Sequence, residues 1–302
     1  MPLRTASRDV TSGRPGSLRI GTRELAWGAR TYVMGVLNAT PDSFSGDGVA
    51  ADPEALERRV RVLVDEATDV IDVGGESTRP GGTPVDAATE LARVLPAIEA
   101  VRRHDLDVPI SIDTRKAVVA ERAIVAGADA INDVSGLRDD PEMAELAAGT
   151  GVPVVLMHSR RARAVTTKLG GQYREVRYDD VAGDVVREGL ELVDAALAAG
   201  IARQSLIFDP GVGFGKTPVQ NIELLRDLES LREMRLPLLV GVSRKSFIGE
   251  LTGRAPEERL EGSLAAAVAA VAKGADMVRV HDVGATRRAL AVVDALFRDS
   301  AR

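Results

Sequence analysis

Short apolar runs alternate with longer amphipathic stretches along most of the chain, and clusters of turn-forming residues separate them. Tyr32 to Leu37, YVMGVL, has the apolar density expected of a strand buried on both faces. It passes through NATPDSFSGDG into a helical period from Pro53 to about Glu66. The same succession predicts a strand at Val70 to Val73 with a helix from about Val85 to Arg103, and a strand at Pro109 to Ile112 with a helix from Lys116 to Val125. It continues with Ala130 to Asp133 and a weaker helix from Pro141 to Ala148, then Pro153 to Met157 and a long helix from Asp179 to Ala199. The last three units pair Ser205 to Phe208 with Val219 to Glu233, Pro237 to Val242 with Pro256 to Lys273, and Met277 to Val280 with Thr286 to Phe297.

Three stretches stand outside this succession. Leu18 to Trp27 alternates around the turn-like GTR and predicts a small hairpin, suited to cap the bottom mouth of a barrel. The polar excursion from Ser159 to about Arg177 has no period and reads as a loop. SFIGELTG, behind the seventh strand, predicts an extra short helix with Ser246 as its cap.

Eight strands, each followed by a helix, are the count and order of an α/β fold, a single (β/α)8 TIM barrel over residues 18–302 behind a loose Arg-, Ser- and Gly-rich leader, 1–17. A doubly wound sheet would need fewer strands or a second domain. The polar residues Asn38, Asp113, Asn132, His158, Asp209, Lys245, Arg279 and His281 fall at C-terminal strand ends, the rim where barrel enzymes build their sites.

Composition narrows the chemistry. With 302 residues, of which 45% are hydrophobic, the chain can bury a large core. The formal charge of −6 gives no basic field for nucleic acid, and no apolar run is long enough to span a membrane. The absence of cysteine removes disulfides, thiol nucleophiles and thiolate metal sites.

At the rim, LVGVSRKSFIG brings Arg244, Lys245 and a helix start to one strand end, a setting for an anionic or electron-rich ligand. Asp113, Asn132 and Asp209 suit a ligand edge rich in N–H donors, such as an aminopyrimidinone; a closed polar network with Lys245 is the competing reading. Arg279 and His281, two apart on one strand, face the same way and suit a departing phosphate group. Asn38 offers a neutral oxygen, and GGESTRPGG carries Thr78 and Arg79 between glycines. GVGFGK lacks both the GxxxxGK[ST] and GxGxxG spacings, so Phe214 is read as an aromatic face for a flat ligand or as core.

The ordered set MGVLNATPDSFSGDG, VIDVGGESTRPGG, ISIDT, INDVSG, LMH, FDPGVGFGKT, GVSRKSFIG and VRVHDV resembles the dihydropteroate synthase family, pterin-binding barrels of folate synthesis. The resemblance implies condensation of (7,8-dihydropterin-6-yl)methyl diphosphate with 4-aminobenzoate, diphosphate leaving first in an SN1-like step. It implies Asp113, Asn132, Asp209 and Lys245 around the pterin, Thr78, Arg79, Pro80, Phe214 and Ser246 around aminobenzoate, and Asn38, Arg279 and His281 around diphosphate. Asn38, Asp113, Lys245, Arg279 and His281 are the implied catalytic set, with Asn38 also a Mg2+ contact. A cytoplasmic homodimer packed through helices of the C-terminal half is implied as well.

Two departures stand out. NATPDSFSGDG replaces the usual NVTPDSFSDGG, and the loop after His158 is longer and more basic than the family's short form. A methyltetrahydrofolate–corrinoid methyltransferase would keep the pterin edge but has no need of GESTRPGG, SRKS and RVHDV. A non-catalytic pterin-binding paralogue is the remaining alternative.

Overall fold

Alternation within each strand decides where the barrel's side chains go, and it divides the buried residues into two cores. The computed structural model describes residues 16–40, 52–77, 82, 84–161, 173 and 176–298. In chain order the strands and α-helices are β1 (Ser17–Ile20), β2 (Arg23–Ala26), β3 (Tyr32–Asn38), α1 (Pro53–Asp65), β4 (Val70–Gly74), α2 (Ala87–His104), β5 (Ile110–Asp113), α3 (Ala117–Val125), β6 (Ala130–Asp133) and α4 (Glu142–Thr150). They continue with β7 (Val154–Met157), α5 (Val181–Ala198), β8 (Leu206–Asp209), α6 (Pro218–Arg226), β9 (Leu239–Val240), α7 (Ser246–Thr252), α8 (Leu260–Ala272), β10 (Met277–Val280) and α9 (Val283–Phe297).

The eight later strands form one parallel sheet in the order β8-β7-β6-β5-β4-β3-β10-β9. A Phe208–Leu238 bridge and a 2.9 Å bond from the Phe208 N–H to the Pro237 carbonyl bring the two ends together. The expected TIM barrel is therefore present, and β1 and β2 pair antiparallel as the expected hairpin. Only Gly16 and Ser17 of the expected leader are described, and Ser17 already opens β1.

One core consists of Val33, Ile71, Ile112, Ile131, Leu156, Phe208, Val240 and Val278, the outward strand positions, packed against the helices. The other joins the inward positions Tyr32, Met34, Val70, Ala130, Val155, Ile207, Leu239 and Met277 to Leu18, Ile20, Leu25 and Trp27 of the hairpin. The hairpin therefore plugs the N-terminal mouth, as its pattern predicts. Both strand faces are apolar, so the sequence shows compact runs rather than alternation.

Several boundaries differ from expectation, and four of the differences are the most informative. The helix expected over Val219 to Glu233 breaks at Arg226, and Leu228–Met234 winds as a 3-10 helix. Its buried Leu228, Leu231 and Met234 recur every three residues, the spacing that eclipses side chains in a 3-10 turn. The helix expected from Pro256 likewise opens as a 3-10 turn before α8, because Arg259 leaves helical geometry to donate to the Arg254, Arg244 and Lys245 carbonyls. The strand expected over Pro237 to Val242 shortens to Leu239–Val240; Pro237 has no N–H to give the ladder. Finally, Ser246 is the first residue of α7 rather than its cap; Lys245 holds the cap position and makes no side-chain capping bond.

Candidate active site

With Val70, Ala130, Ile207 and Met277 pointing into the barrel, period-two geometry points Asp72, Asn132, Asp209 and Arg279 inward as well, two residues further towards the C-terminal mouth. Three of these meet, together with Asp113 from the end of β5. Arg279 Nε lies 2.6 Å from Asp72 Oδ2, and its Nη2 lies 2.7 Å from Asp113 Oδ2. The Asn132 amide donates to the same Asp72 oxygen at 3.1 Å. The second oxygens of Asp72 and Asp113 are buried and accept no hydrogen bond from the described residues.

One guanidinium reaches both buried carboxylates, but its single positive charge cannot neutralise two negative ones. Burial lifts the Asp113 pKa to about 7, the Arg279 charge opposes the rise and the Asp72 charge adds to it. Burial alone would lower the Arg279 pKa; the two carboxylates outweigh it and raise the value. Asp209 is also raised by burial, although its Oδ1 accepts from the Gly211 N–H at 2.7 Å and the Lys245, Arg279 and Lys216 charges pull it down. The site is an acceptor-rich, partly unsatisfied floor with cations beside it.

The remaining expected residues take different places. Lys245 Nζ sits 4.4 Å from the centroid of the Phe214 ring, so an ammonium and an aromatic face form one wall. His281 Nδ1 is 3.0 Å from Ser243 Oγ, next to the turn that carries Lys245. Asn38 ends β3, half-buried. Ser246 opens α7 directly behind Lys245. Thr78, Arg79 and Pro80 lie outside the described residues, as do Asp42, Ser43 and Phe44 of the first loop. Ala39, the departure in that loop, is buried and extends the ladder through its N–H to the Gly74 carbonyl at 2.8 Å.

Two expectations need correcting. Arg244 does not join Lys245 in offering charge to a ligand: its backbone turns left-handed, with φ 58°, and its guanidinium binds Asp282 through contacts of 2.8 and 3.1 Å. His158 stands at the C-terminal end of β7 as expected, but its ring does not face the mouth. Val155 points inward, so Leu156 and His158 point to the helix layer, where His158 Nε2 meets Glu188 of α5 at 3.0 Å. Burial first, and then the Lys216 ammonium, depress its pKa to about 3 and keep the ring neutral.

Sequence reasoning missed Asp72, whose signal was present: one carboxylate in the middle of the apolar run VIDVG. It also missed Arg160, within the stretch read as an unstructured basic loop. Arg160 is 8% exposed and pairs with Asp184 at 3.0 Å and with Glu188. Nothing local in the sequence distinguishes Arg160 from its neighbours.

The family described as pterin binding enzyme matches residues 34–281. Dihydropteroate synthase of Clostridium beijerinckii is 43% identical over 93% of this chain and 100% of its own length, and that of Bacillus subtilis is 41% identical over 90% of each. Among solved structures, Xanthomonas albilineans dihydropteroate synthase with 4-aminobenzoic acid matches with a TM-score of 0.83 at 44% identity, covering 93% of this chain and 98% of that one. The same enzyme in complex with 7,8-dihydropteroate matches with a TM-score of 0.80 at 41% identity over the same shares.

Proposed function

The chain belongs to the pterin binding enzymes, and among them to the dihydropteroate synthases, and on that premise we propose how its own residues condense (7,8-dihydropterin-6-yl)methyl diphosphate with 4-aminobenzoate. The observation that carries the proposal is the pair of unsatisfied oxygens on Asp72 and Asp113 inside the barrel. An aminopyrimidinone edge presents the N–H donors these acceptors lack, and Asn132 and Asp209 extend the same polar surface. Lys245 and Phe214 flank the ring plane.

The C–O bond to diphosphate breaks first, its electron pair leaving with the diphosphate oxygen, and a methylene cation conjugated with the dihydropterin remains. Arg279 and His281 are assigned to the negative charge that leaves, while the buried carboxylates Asp72 and Asp113, which also hold Arg279, favour the positive charge that stays. The arylamine lone pair then forms the C–N bond and the nitrogen releases its proton afterwards, so no strong base is required. Ser246, at the start of α7, and Phe214 are assigned to aminobenzoate together with Thr78, Arg79 and Pro80.

Magnesium belongs to the same proposal. No group of three or more His, Cys, Asp or Glu ligands occurs among the described residues. A single neutral oxygen from Asn38 fits a cation that keeps most of its waters and takes the rest of its shell from phosphate. Bound there, it would neutralise charge on the departing diphosphate.

The test is product formation from purified protein with the pterin diphosphate and labelled 4-aminobenzoate, with magnesium present or chelated. Labelled dihydropteroate is expected, with chelation abolishing it and Arg279→Ala reducing it at least a hundredfold, the scale of losing one preorganised charge. Tight pterin binding without product would return the chain to the non-catalytic reading.

A homodimer is proposed on the apolar outer face of the C-terminal helices. Ala265 and Ala269 of α8 are exposed, and α9 exposes Val292, Leu296 and Phe297. Sedimentation equilibrium returning a monomer at micromolar concentration would end that reading. No helix among the described residues is long and apolar enough to cross a membrane. A cytoplasmic location is proposed because a diphosphate substrate does not cross a bilayer unaided; cell fractionation tests it.

A further inference from the structure

Lys216 is a charged side chain with only 1% exposure, and the chemistry described above does not use it. Its Nζ lies 2.9 Å from the Pro210 carbonyl, 3.0 Å from that of Gly211 and 3.5 Å from that of Phe214. The fourth neighbour is His158 Nδ1 at 3.1 Å. The carbonyls belong to the loop whose first residue beyond β8 follows Asp209 and whose aromatic ring backs Lys245. The loop is also wedged from outside: a Cβ on Gly211 would stand 1.9 Å from the His158 carbonyl, and one on Gly215 would stand 2.3 Å from the backbone of Arg160. The His158 ring, neutral, accepts from the ammonium through Nδ1 and presents Nε2 to Glu188, which Arg160 also holds.

We propose that Lys216 is a positioning residue for the pterin site, its ammonium gathering the loop carbonyls so that Asp209 and Phe214 face the ring. The proposal rests on the reading that Asp209 contacts the pterin. The charge is finely balanced. Burial lowers the Lys216 pKa to about 7, Asp209 at the end of β8 and Glu188 of α5 raise it, and Arg160 beside β7 and Lys245 at the cap of α7 lower it. Tyr178, ahead of α5, places its ring centroid 5.8 Å from the ammonium, and Asp184 of α5 faces the network through Arg160. Pterin affinity should therefore weaken as pH rises through about 7 and the ammonium loses its proton. Asp113, which gains charge over the same range, acts in the opposite direction.

The experiment is calorimetric titration of the full chain with (7,8-dihydropterin-6-yl)methyl diphosphate across a pH range bracketing neutrality. Glu188→Gln keeps an acceptor for His158 but removes a negative charge that supports the ammonium, so the limb of falling affinity should move to lower pH. Lys216→Met should weaken binding about tenfold, the scale of losing one charge-assisted hydrogen bond, and erase that limb. If Lys216→Met does not fold, the Glu188→Gln limb decides. Asp209→Asn separates the two readings. Unchanged pterin affinity in Asp209→Asn overturns the pterin-site reading and the inference with it. Weakened binding there, with an unshifted limb in Glu188→Gln, overturns the role of Lys216 alone.

Discussion

Asp113 binds its proton more tightly than its sequence neighbours give reason to expect. Burial raises its folded-state pKa from 3.8 to about 7, despite Arg279 at 2.7 Å. A carboxyl raised in this way contributes stability that is fully present below the unfolded value and is lost as pH rises through the folded one. Donors on a bound pterin edge favour the carboxylate, so binding should expel the proton. Pterin affinity is then expected to tighten up to about tenfold per pH unit below pH 7, one proton's worth, and to lose this dependence in Asp113→Asn. Titrations in buffers of different ionisation enthalpy would count the proton; a profile flat below neutrality would show that Asp113 is already charged. The residue's type and its strand-end position were legible in ISIDT. Its protonation was not, because Asp72 and Arg279 reach it from other strands.

α6 shows how much of an element can be written locally. Thr217 caps it, accepting from the Gln220 N–H, while the Gln220 side chain accepts from the Thr217 N–H, and Pro218 takes the first turn, where its missing N–H costs nothing. Thr217→Ala is expected to cost about 1 kcal/mol, read as a lowered urea midpoint at unchanged slope. No change in midpoint would mean that the bond from Gln220 Nε2 to the Val176 carbonyl, 2.9 Å, holds the helix start by itself. The end of the same helix was not legible, since Leu228, Leu231 and Met234 have a spacing compatible with either helix type. Their complete burial fits the tighter 3-10 winding. At α7 the serine expected at the cap is the first helical residue, and Lys245 takes the cap position without a side-chain bond that the sequence could have signalled.

The barrel has two ends with opposite chemistry, and the hairpin explains how one of them is sealed. Leu25 is 2% exposed among the inward residues of the strands, at the mouth opposite the carboxylates. Leu25→Ala is expected to cost about 2–5 kcal/mol by leaving a cavity there, while activity per folded molecule stays at the wild-type level. Thermal melts alongside specific activity check this; lost activity at full stability would show the two ends to be coupled. Separating the sealed end from the reactive end leaves the C-terminal rim free to carry buried charge without a core beneath it that depends on that charge.

The sequence by itself determined the count and order of strands and helices, the hairpin, and the rim on which polar residues collect, because each follows from local periodicity and turn chemistry. It also carried the ordered motifs by which the family was legible. Only the tertiary structure decided who meets whom. Alternation turns Asp72 and Arg279 inward, but barrel closure brings together groups 207 residues apart. Likewise it turns His158 outward, where it meets Lys216, 58 residues away, within a layer that no local pattern describes. Side-chain type and strand face are short-range properties of the chain. A buried charge takes its energy from the groups around it in space, and for these residues almost all of those lie far away in sequence.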